Sequence, residues 1–376
     1  MIRSSKRLTY LESQALIEGD LREAIKHARS EPKYSRPVTD ALKQMNDLAR
    51  TLRKRRMQEG MIVLGLPEVE LVFDDSGRVV DAVKEDDAFT HTLIEMFMVE
   101  ANEAAARVFA RLDLPMIRRV HADPPVHDLS EMRSFAKVAG HDLPAKPTRF
   151  DLQKLLDGTR GKPAQYAVHL AVLKTLSRAE YAPDLIGHFA LASEHYTHFT
   201  SPIRRYPDLI VHRGLDAYLD ALAEMSSRPS AGGKTSKAET RLMVNRLRDD
   251  PRMPAEDTLR ALGQHCSQTE RNSSGAEDDL RTYLVLDLLR HHMGEDYEGT
   301  VTGITSDGLY VQLDKYLVDG YIKSSDLPGG PADRWRLNRQ TGALVAMRSG
   351  KSIRIGDRYV VRIANVNPVR RHLESS

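Results

Sequence analysis

Apolar side chains follow two different periods in the first part of the chain. Between residues 9 and 58 they recur three or four positions apart, at Val38, Leu42, Met45, Leu48 and Leu52. This spacing predicts helices with one buried face. Between residues 61 and 83 the period shifts towards two around Asp75-Ser76-Gly77, which predicts a β-hairpin that turns at these residues.

The next stretch predicts a long helix from about Asp87 to Leu112. We expect its buried face to consist of the apolar residues at helical spacing: Leu93, Ile94, Phe97, Met98, Ala101, Ala105, Val108 and Phe109. Further helices are expected at about residues 129–139, 150–156, 166–176, 208–223 and 276–292. The small, polar segment 226–239 contains glycines, which is typical of a surface loop.

From Gly294 onward the pattern becomes that of short strands. Five runs of β-type composition are separated by glycine-containing turns: YEGTVTGI, GLYVQL, DGYIKSSDL, GALVAMR and RYVVRIANV. Such runs predict a small five-stranded β-barrel. Together with the helices that precede it, the barrel makes the expected fold class α+β.

Composition narrows the class of protein. Hydrophobic residues make up 41% and charged residues 29% of the chain, as in soluble globular proteins. The lone cysteine, Cys266, excludes a disulfide framework and a thiolate zinc site. We find no apolar run long enough to span a membrane and no signal-peptide core, so we expect a cytoplasmic protein without a membrane partner.

Charge is informative through its distribution. The formal net charge of +2 indicates nothing about partners, but residues 331–376 contain ten Arg and Lys against three Asp and Glu. This basic patch is either a solvated surface or a nucleic-acid contact, and nucleic acid is the leading functional interpretation.

The segment GHFALASEHYTHFTSPIRRYPDLIVHR, residues 187–213, carries the chemistry. Pro207 predicts that a single turn precedes a longer helix. Arg204 and Arg205 would then lie at a helix N-terminus, where backbone N–H groups and guanidinium forks attract phosphate. The alternative is an exposed arginine pair that balances the charge of Asp208.

This segment resembles the signature of the RNB family of exoribonucleases, which includes ribonucleases II and R. Other strings occur in family order along nearly the whole chain: Ile2–Tyr10, Leu66–Glu68, Leu93–Glu95, Glu100–Asn102, Arg119–His121 and Cys266–Arg271. The end of the chain resembles the S-one type of OB-fold. The resemblance implies that residues 1–293 are the C-terminal portion of an RNB domain and that residues 294–376 are an RNA-binding OB-fold domain.

The resemblance also implies roles for individual residues. Arg204 matches the arginine that neutralises the scissile phosphate, and Arg205 is expected to contact RNA beside it. Glu95 and Tyr10 match residues that contact the ribose and favour RNA over DNA. On their own, Glu95 would be a helix-surface charge and Tyr10 an aromatic at the edge of the core. Tyr310 is expected to stack on a base.

Three histidines, His121, His188 and His198, could suggest metal ligands. We expect packed or hydrogen-bonded side chains instead, and we assign no metal ligand in this chain.

The family hydrolyses RNA with magnesium held by four aspartates, which lie before the segment matched by Ile2–Tyr10. We do not find them here, and Glu85-Asp86-Asp87 is most simply a set of acids at a helix start. We therefore expect an incomplete RNB domain, either from a truncated reading frame or from a split enzyme. In a split enzyme, a separate chain or upstream segment would supply the aspartates.

Two functions remain open. The first is 3′→5′ exoribonucleolytic degradation of single-stranded or structured RNA to nucleoside 5′-monophosphates, with the chain inactive until the aspartate half is supplied. The second is a non-catalytic RNA-binding remnant of an RNB protein.

Overall fold

Three helices open the chain, as predicted. In the computed structural model the described residues are 4–125, 132–133, 136–137, 141–162, 164–226, 237–338 and 341–376. A capping box at Thr9 begins the first helix: the Thr9 hydroxyl accepts from the Glu12 N–H and the Glu12 carboxylate accepts from the Thr9 N–H, both at 3.1 Å. The helices are α1 (Tyr10–Glu18), α2 (Leu21–His27) and α3 (Arg36–Gln58).

The predicted hairpin is also present. Strands β1 (Val69–Phe73) and β2 (Val79–Lys84) pair antiparallel. The Asp74 carboxylate closes the turn by accepting from the N–H groups of Ser76 and Arg78, each at 2.9 Å.

The long helix α4 (Phe89–Arg111) follows, and its buried face was predicted only in part, with Leu93, Ala105 and Phe109 buried as expected. Ile94 and Met98 are exposed. The buried side is lined instead by Thr90, Leu93, Met96, Val99, Asn102, Glu103, Ala105, Ala106 and Phe109. The predicted stripe counted only apolar residues, whereas the core here takes in three polar side chains.

Short strands and further helices make up the middle of the chain. Strand β3 (Arg118–Val120) pairs antiparallel with β4 (Glu180–Ala182). The helices in this region are α5 (Arg149–Thr159), α6 (Gln165–Thr175), α7 (Tyr206–Ser226), α8 (Lys237–Arg248) and α9 (Glu256–Leu289). The helix predicted at residues 129–139 lies largely outside the described residues.

Two of these helices correct the sequence prediction. Lys237 already belongs to α8, so the predicted loop is shorter than residues 226–239; residues 227–236 lie outside the described residues. Helix α9 begins at Glu256 rather than near residue 276. Gly263 argued against a helix in this part of the sequence, because glycine has a low helix propensity. The glycine is needed there because a Cβ would lie 2.3 Å from the Tyr181 carbonyl oxygen.

The five-stranded barrel is confirmed with one strand exchanged. The closed barrel contains β5 (Asp296–Ile304), β6 (Gly308–Leu313), β7 (Asp319–Lys323), β11 (Arg358–Asn367) and β12 (His372–Ser375). The run GALVAMR, predicted as the fourth barrel strand, lies outside the barrel. It follows the four-residue helix α10 (Gly330–Asp333) and belongs to a separate sheet of β8 (Trp335–Asn338), β9 (Ala343–Ala346) and β10 (Ser352–Ile353).

The chain divides into two compact units, each built from three stretches. Unit 1 is Met1–Ile62, Asp87–Asp123 and Ser177–Thr269; unit 2 is Val63–Asp86, Pro124–Leu176 and Glu270–Ser376. Phe109, Ile117 and Leu259 lie in the core of unit 1, and Leu286, Val311 and Ile363 in that of unit 2. In the part of the chain that the structure describes, every helix is too short or too polar to cross a membrane.

Candidate nucleic-acid interface

A single turn presents Arg204 at the start of α7, as the prolines predicted. The Ser201 carbonyl oxygen accepts from the N–H groups of Arg204 at 3.3 Å and Arg205 at 3.1 Å. The Arg204 side chain is exposed, and its Nε donates to the Ser201 hydroxyl at 2.9 Å. It forms no ion pair with a described residue, so its two terminal nitrogens keep four N–H donors for a ligand.

Arg205 is held differently. Its Nη2 donates to Asp208 Oδ1 at 2.7 Å, and the same oxygen accepts from the Ser201 N–H at 2.8 Å. Asp208 is completely buried. The alternative interpretation, in which the arginines balance the charge of Asp208, therefore applies to Arg205 but not to Arg204.

Helix α4 holds the segment that leads to this turn. The Asn102 amide donates to the Tyr196 hydroxyl at 3.0 Å and accepts from the Phe199 N–H at 2.8 Å. Asn102 was part of a matched string, but its role as a support was missed. The spacing of apolar residues carries no information about a buried amide.

A buried ion cluster anchors α4 to α3. The Arg56 side chain is almost fully buried and donates to Glu103 at 2.8 Å and to Glu100. Burial would lower the pKa of the Arg56 guanidinium, but the two carboxylates outweigh it and raise that pKa. Burial would likewise raise the pKa of the Glu103 carboxyl, and Arg56 holds it below its ordinary value.

The three histidines lie among aromatic rings. His188 lies 4.9 Å from His121 and 5.2 Å from Tyr196, measured between ring centroids. His198 Nδ1 is 2.9 Å from the Tyr181 hydroxyl. Burial lowers the pKa of His188 and of His198 to about 3, and nearby positive groups add to the effect. Both rings are therefore neutral at pH 7.

Tyr10 contacts the first turn of α4, and Glu95 lies on the next turn of the same helix. The Tyr10 ring stacks on the His91 ring, with the centroids 4.0 Å apart and an angle of 27° between the planes. The backbone carbonyl of Tyr10 accepts a hydrogen bond from the Thr90 hydroxyl at 2.9 Å. Glu95 follows His91 by one helical turn. Partial desolvation raises the pKa of the exposed Glu95 carboxyl, and Arg53 and Arg56 oppose the shift. His91 was not singled out from the sequence.

Tyr310 lies on β6 beside a second tyrosine. Its ring is 42% exposed and lies 5.1 Å from Tyr321, its partner in register on β7. Gly308 on β6 leaves no room for a side chain, because a Cβ there would lie 2.2 Å from the Ile322 carbonyl oxygen and 2.8 Å from the Tyr321 hydroxyl. Lys323 on the same strand forms an ion pair with Glu374 at 3.4 Å.

The described ranges contain acidic and histidine side chains in all parts of the chain. No three His, Cys, Asp or Glu side chains there come together in a way that could hold a metal ion. The described residues therefore do not fit a divalent metal by themselves.

Comparison with known families gives two matches. The RNB domain matches residues 1–221, and the S1 RNA binding domain matches residues 290–376.

Individual relatives agree with these matches. Ribonuclease R of Aquifex aeolicus is 32% identical, over all of this chain and 48% of that protein. Ribonuclease R of Escherichia coli is 31% identical, over all of this chain and 43% of that protein. The chain thus spans about half the length of the curated relatives it matches.

A solved structure has a similar fold. This chain is 23% identical to Mycoplasma genitalium RNase R, solved in complex with ribose methylated single-stranded RNA, with a TM-score of 0.79. The similarity covers 98% of this chain and 52% of that one.

Replacing Arg56 with methionine should lower the free energy of unfolding by about 3 kcal/mol, because two carboxylates lose their buried partner. Arg55→Met is the matched control. Arg55 also contacts Glu100, but its side chain is 48% exposed, so the loss should stay below about 1 kcal/mol. Urea unfolding followed by circular dichroism measures both. Equal losses would contradict the role given to Arg56.

Acid should destabilise the protein through His188 and His198. The unfolded chain takes up these protons below pH 6.5, whereas the folded chain resists them until about pH 3. The free energy of unfolding should therefore fall as the pH drops below 6.5, by up to about 1.4 kcal/mol per pH unit for each histidine. Urea unfolding at several pH values should give a shallower dependence for the double variant His188→Gln, His198→Gln. His265→Gln, at an exposed position on α9, should leave the dependence unchanged.

Proposed function

This chain belongs to the RNB family and carries an S1 RNA binding domain, and from this premise we propose that it binds RNA for 3′→5′ exoribonucleolytic degradation to nucleoside 5′-monophosphates. Arg204 supports the proposal most directly. It is an exposed guanidinium in a fixed turn, and it has no ion-pair partner among the described residues, whereas the adjacent Arg205 is paired. The solved relative bound to single-stranded RNA makes RNA the preferred ligand class.

Arg204 would act on the scissile phosphate. Its two terminal nitrogens can donate to two phosphate oxygens, in the bidentate geometry that guanidinium groups favour. Charge that develops on those oxygens during hydrolysis would be stabilised by a group already in position. Arg205 would contact RNA more weakly, because Asp208 already occupies one of its terminal nitrogens.

Tyr10 and Glu95 would contact the ribose. The Glu95 carboxylate can accept a hydrogen bond from a 2′-hydroxyl, a group that DNA lacks. Stacking on His91 fixes the Tyr10 ring against the first turn of the helix that carries Glu95. In the barrel, Tyr310 would stack on a base, with Tyr321 supporting it.

The divalent metal that the family implies is, we propose, magnesium. The described residues bring no group of three ligands together, so hydrolysis would depend on aspartates that another segment or a separate chain supplies. We keep the division into an RNB portion up to residue 293 and an OB-fold domain from residue 294. We also propose a cytoplasmic location, where the buried thiol of Cys266 would stay reduced.

A non-catalytic RNA-binding protein is the second candidate. The described residues bring no three metal ligands together, and such residues could still hold RNA through Arg204, Glu95 and Tyr310. The two functions differ in whether added aspartates restore hydrolysis.

Replacing Tyr310 with alanine should weaken binding of single-stranded RNA by about 1–3 kcal/mol, the contribution of one stacked base. Tyr359→Ala is the matched control: this tyrosine lies on β11 of the same barrel and is 40% exposed against 42% for Tyr310. Fluorescence anisotropy with labelled RNA measures both affinities. Equal affinities for the two variants would remove Tyr310 from the interface.

The roles of Arg204 and Arg205 can be distinguished in a reconstituted enzyme. The purified chain alone should release no mononucleotides in magnesium. Addition of the segment of Aquifex aeolicus Ribonuclease R that precedes the aligned part should restore release. In that mixture Arg204→Lys should lower the rate by about 10²–10³ with little change in RNA affinity, because an ammonium loses the bidentate geometry.

Arg205→Lys is the control, because it keeps a cation beside Asp208 and should retain most of the rate. A larger loss for Arg205→Lys, or equal losses of rate and affinity for Arg204→Lys, would contradict the catalytic assignment. RNA binding without restored hydrolysis would favour the non-catalytic function.

A further inference from the structure

The small sheet of β8, β9 and β10 has two chemically distinct faces. Trp335, Leu344 and Ile353 are buried in the core of unit 2. Arg336, Val345 and Ser352 lie opposite one another in register across the three strands. Because side chains alternate along a strand, these three share the other face. Arg336 and Ser352 are exposed.

Exposed cations lie on or next to the three strands of this sheet. Besides Arg336, they are Arg334 before β8, Arg348 and Lys351 in the turn after β9, and Arg354 after β10. We call these five residues the basic sheet. The Met347 N–H donates to the Arg334 carbonyl at 3.3 Å, and the Ala346 N–H donates to the Lys351 carbonyl at 2.8 Å. These bonds bring most of the cations to one end of the sheet.

None of the five cations forms an ion pair with another described residue. The barrel differs, because five of its six lysines and arginines form ion pairs. Arg370 is the exception, with no ion pair to a described residue. The paired ones are Lys315 with Asp81, Lys323 with Glu374, Arg358 with Asp314 and Glu298, Arg362 with Asp296, and Arg371 with Asp279. The excess positive charge of the C-terminal region is therefore concentrated on the basic sheet.

The one acidic residue in the described ranges 332–338 and 341–356 is already engaged. Asp333 is 7% exposed. Its carboxylate accepts from the N–H groups of Arg348 at 3.0 Å and Ser349 at 2.8 Å, and from the Ser349 hydroxyl at 2.6 Å. These bonds fix the turn that carries Arg348, and the side chains of the five cations are exposed.

We propose that the basic sheet is a second RNA contact, separate from the tyrosine pair on the barrel, and that it binds the phosphodiester backbone without selecting bases. Its cations supply charge for phosphates, and the one aromatic residue in the three strands, Trp335, is buried and cannot stack on a base. This inference rests on the proposed RNA binding and adds where the backbone would be held.

The number of phosphate contacts can be measured from the salt dependence of binding. Each contact to single-stranded RNA contributes about 0.7 to the slope of log affinity against log salt concentration. The triple variant Arg336→Gln, Arg348→Gln, Lys351→Gln should therefore reduce the slope by about 2. Its affinity for a labelled oligouridine at moderate salt should fall on the order of 10- to 100-fold. The full chain is used throughout.

A control triple variant removes the same charge from the same unit: Arg358→Gln, Arg362→Gln, Arg371→Gln. These side chains are exposed but already paired with carboxylates, so the slope should change little. Ser352→Lys adds a cation to the outer face at an exposed position and should steepen the slope by about 0.7. Unchanged unfolding midpoints identify folded variants.

Three results would overturn the proposal. One is a basic-sheet variant with the slope of the unmodified chain. Another is a control variant that loses as much as the basic-sheet variant. The third is a chain that binds polyglutamate, but not RNA, through the basic sheet. If the unmodified chain binds no RNA at all, the proposed function fails together with this inference. If the unmodified chain binds RNA and the basic-sheet variant binds it with the same affinity and the same slope, the inference fails alone.

Discussion

One buried carboxylate oxygen determines which arginine of the motif is available. Asp208 Oδ1 accepts from both the Ser201 N–H and the Arg205 side chain. A completely buried charge must be satisfied by such partners, because desolvation without them is costly. The turn from Ser201 to Arg205 is therefore tied to α7 from the inside, and Arg204 is left on the outside. Two identical side chains, adjacent in sequence, acquire different roles through this constraint.

Buried polar contacts extend the same constraint through unit 1. Asn102 holds the segment that leads to the turn, and Arg56 joins α3 to α4 through Glu103. Buried hydrogen bonds of this kind favour one arrangement, since a shift would leave their donors or acceptors unpaired. Apolar packing fills the rest of this core, but polar contacts fix the position of the motif.

Sequence reasoning succeeded where local patterns decide the structure. The helical spacing between residues 9 and 58, the hairpin turn and the alternating runs of the barrel are local signals, and the corresponding elements are present. It failed where tertiary contacts decide. The buried face of α4 includes polar residues with distant partners, and Gly263 serves close packing rather than a helix end. The exposure of Arg204 depends on Asp208, so spacing could place both arginines but could not distinguish them.

The interleaving of the two units bears on synthesis of the protein. Each unit is assembled from three stretches that alternate along the chain. A ribosome therefore cannot release one folded unit before starting the other, because the last stretch of unit 1 ends at Thr269, after two stretches of unit 2 have been made. The nascent chain must carry unpaired apolar faces of both units through most of translation. Such long-range assembly slows folding and produces intermediates with exposed apolar surface that tend to aggregate. Production of this protein should therefore depend on chaperones and on slow translation more than its ordinary size suggests.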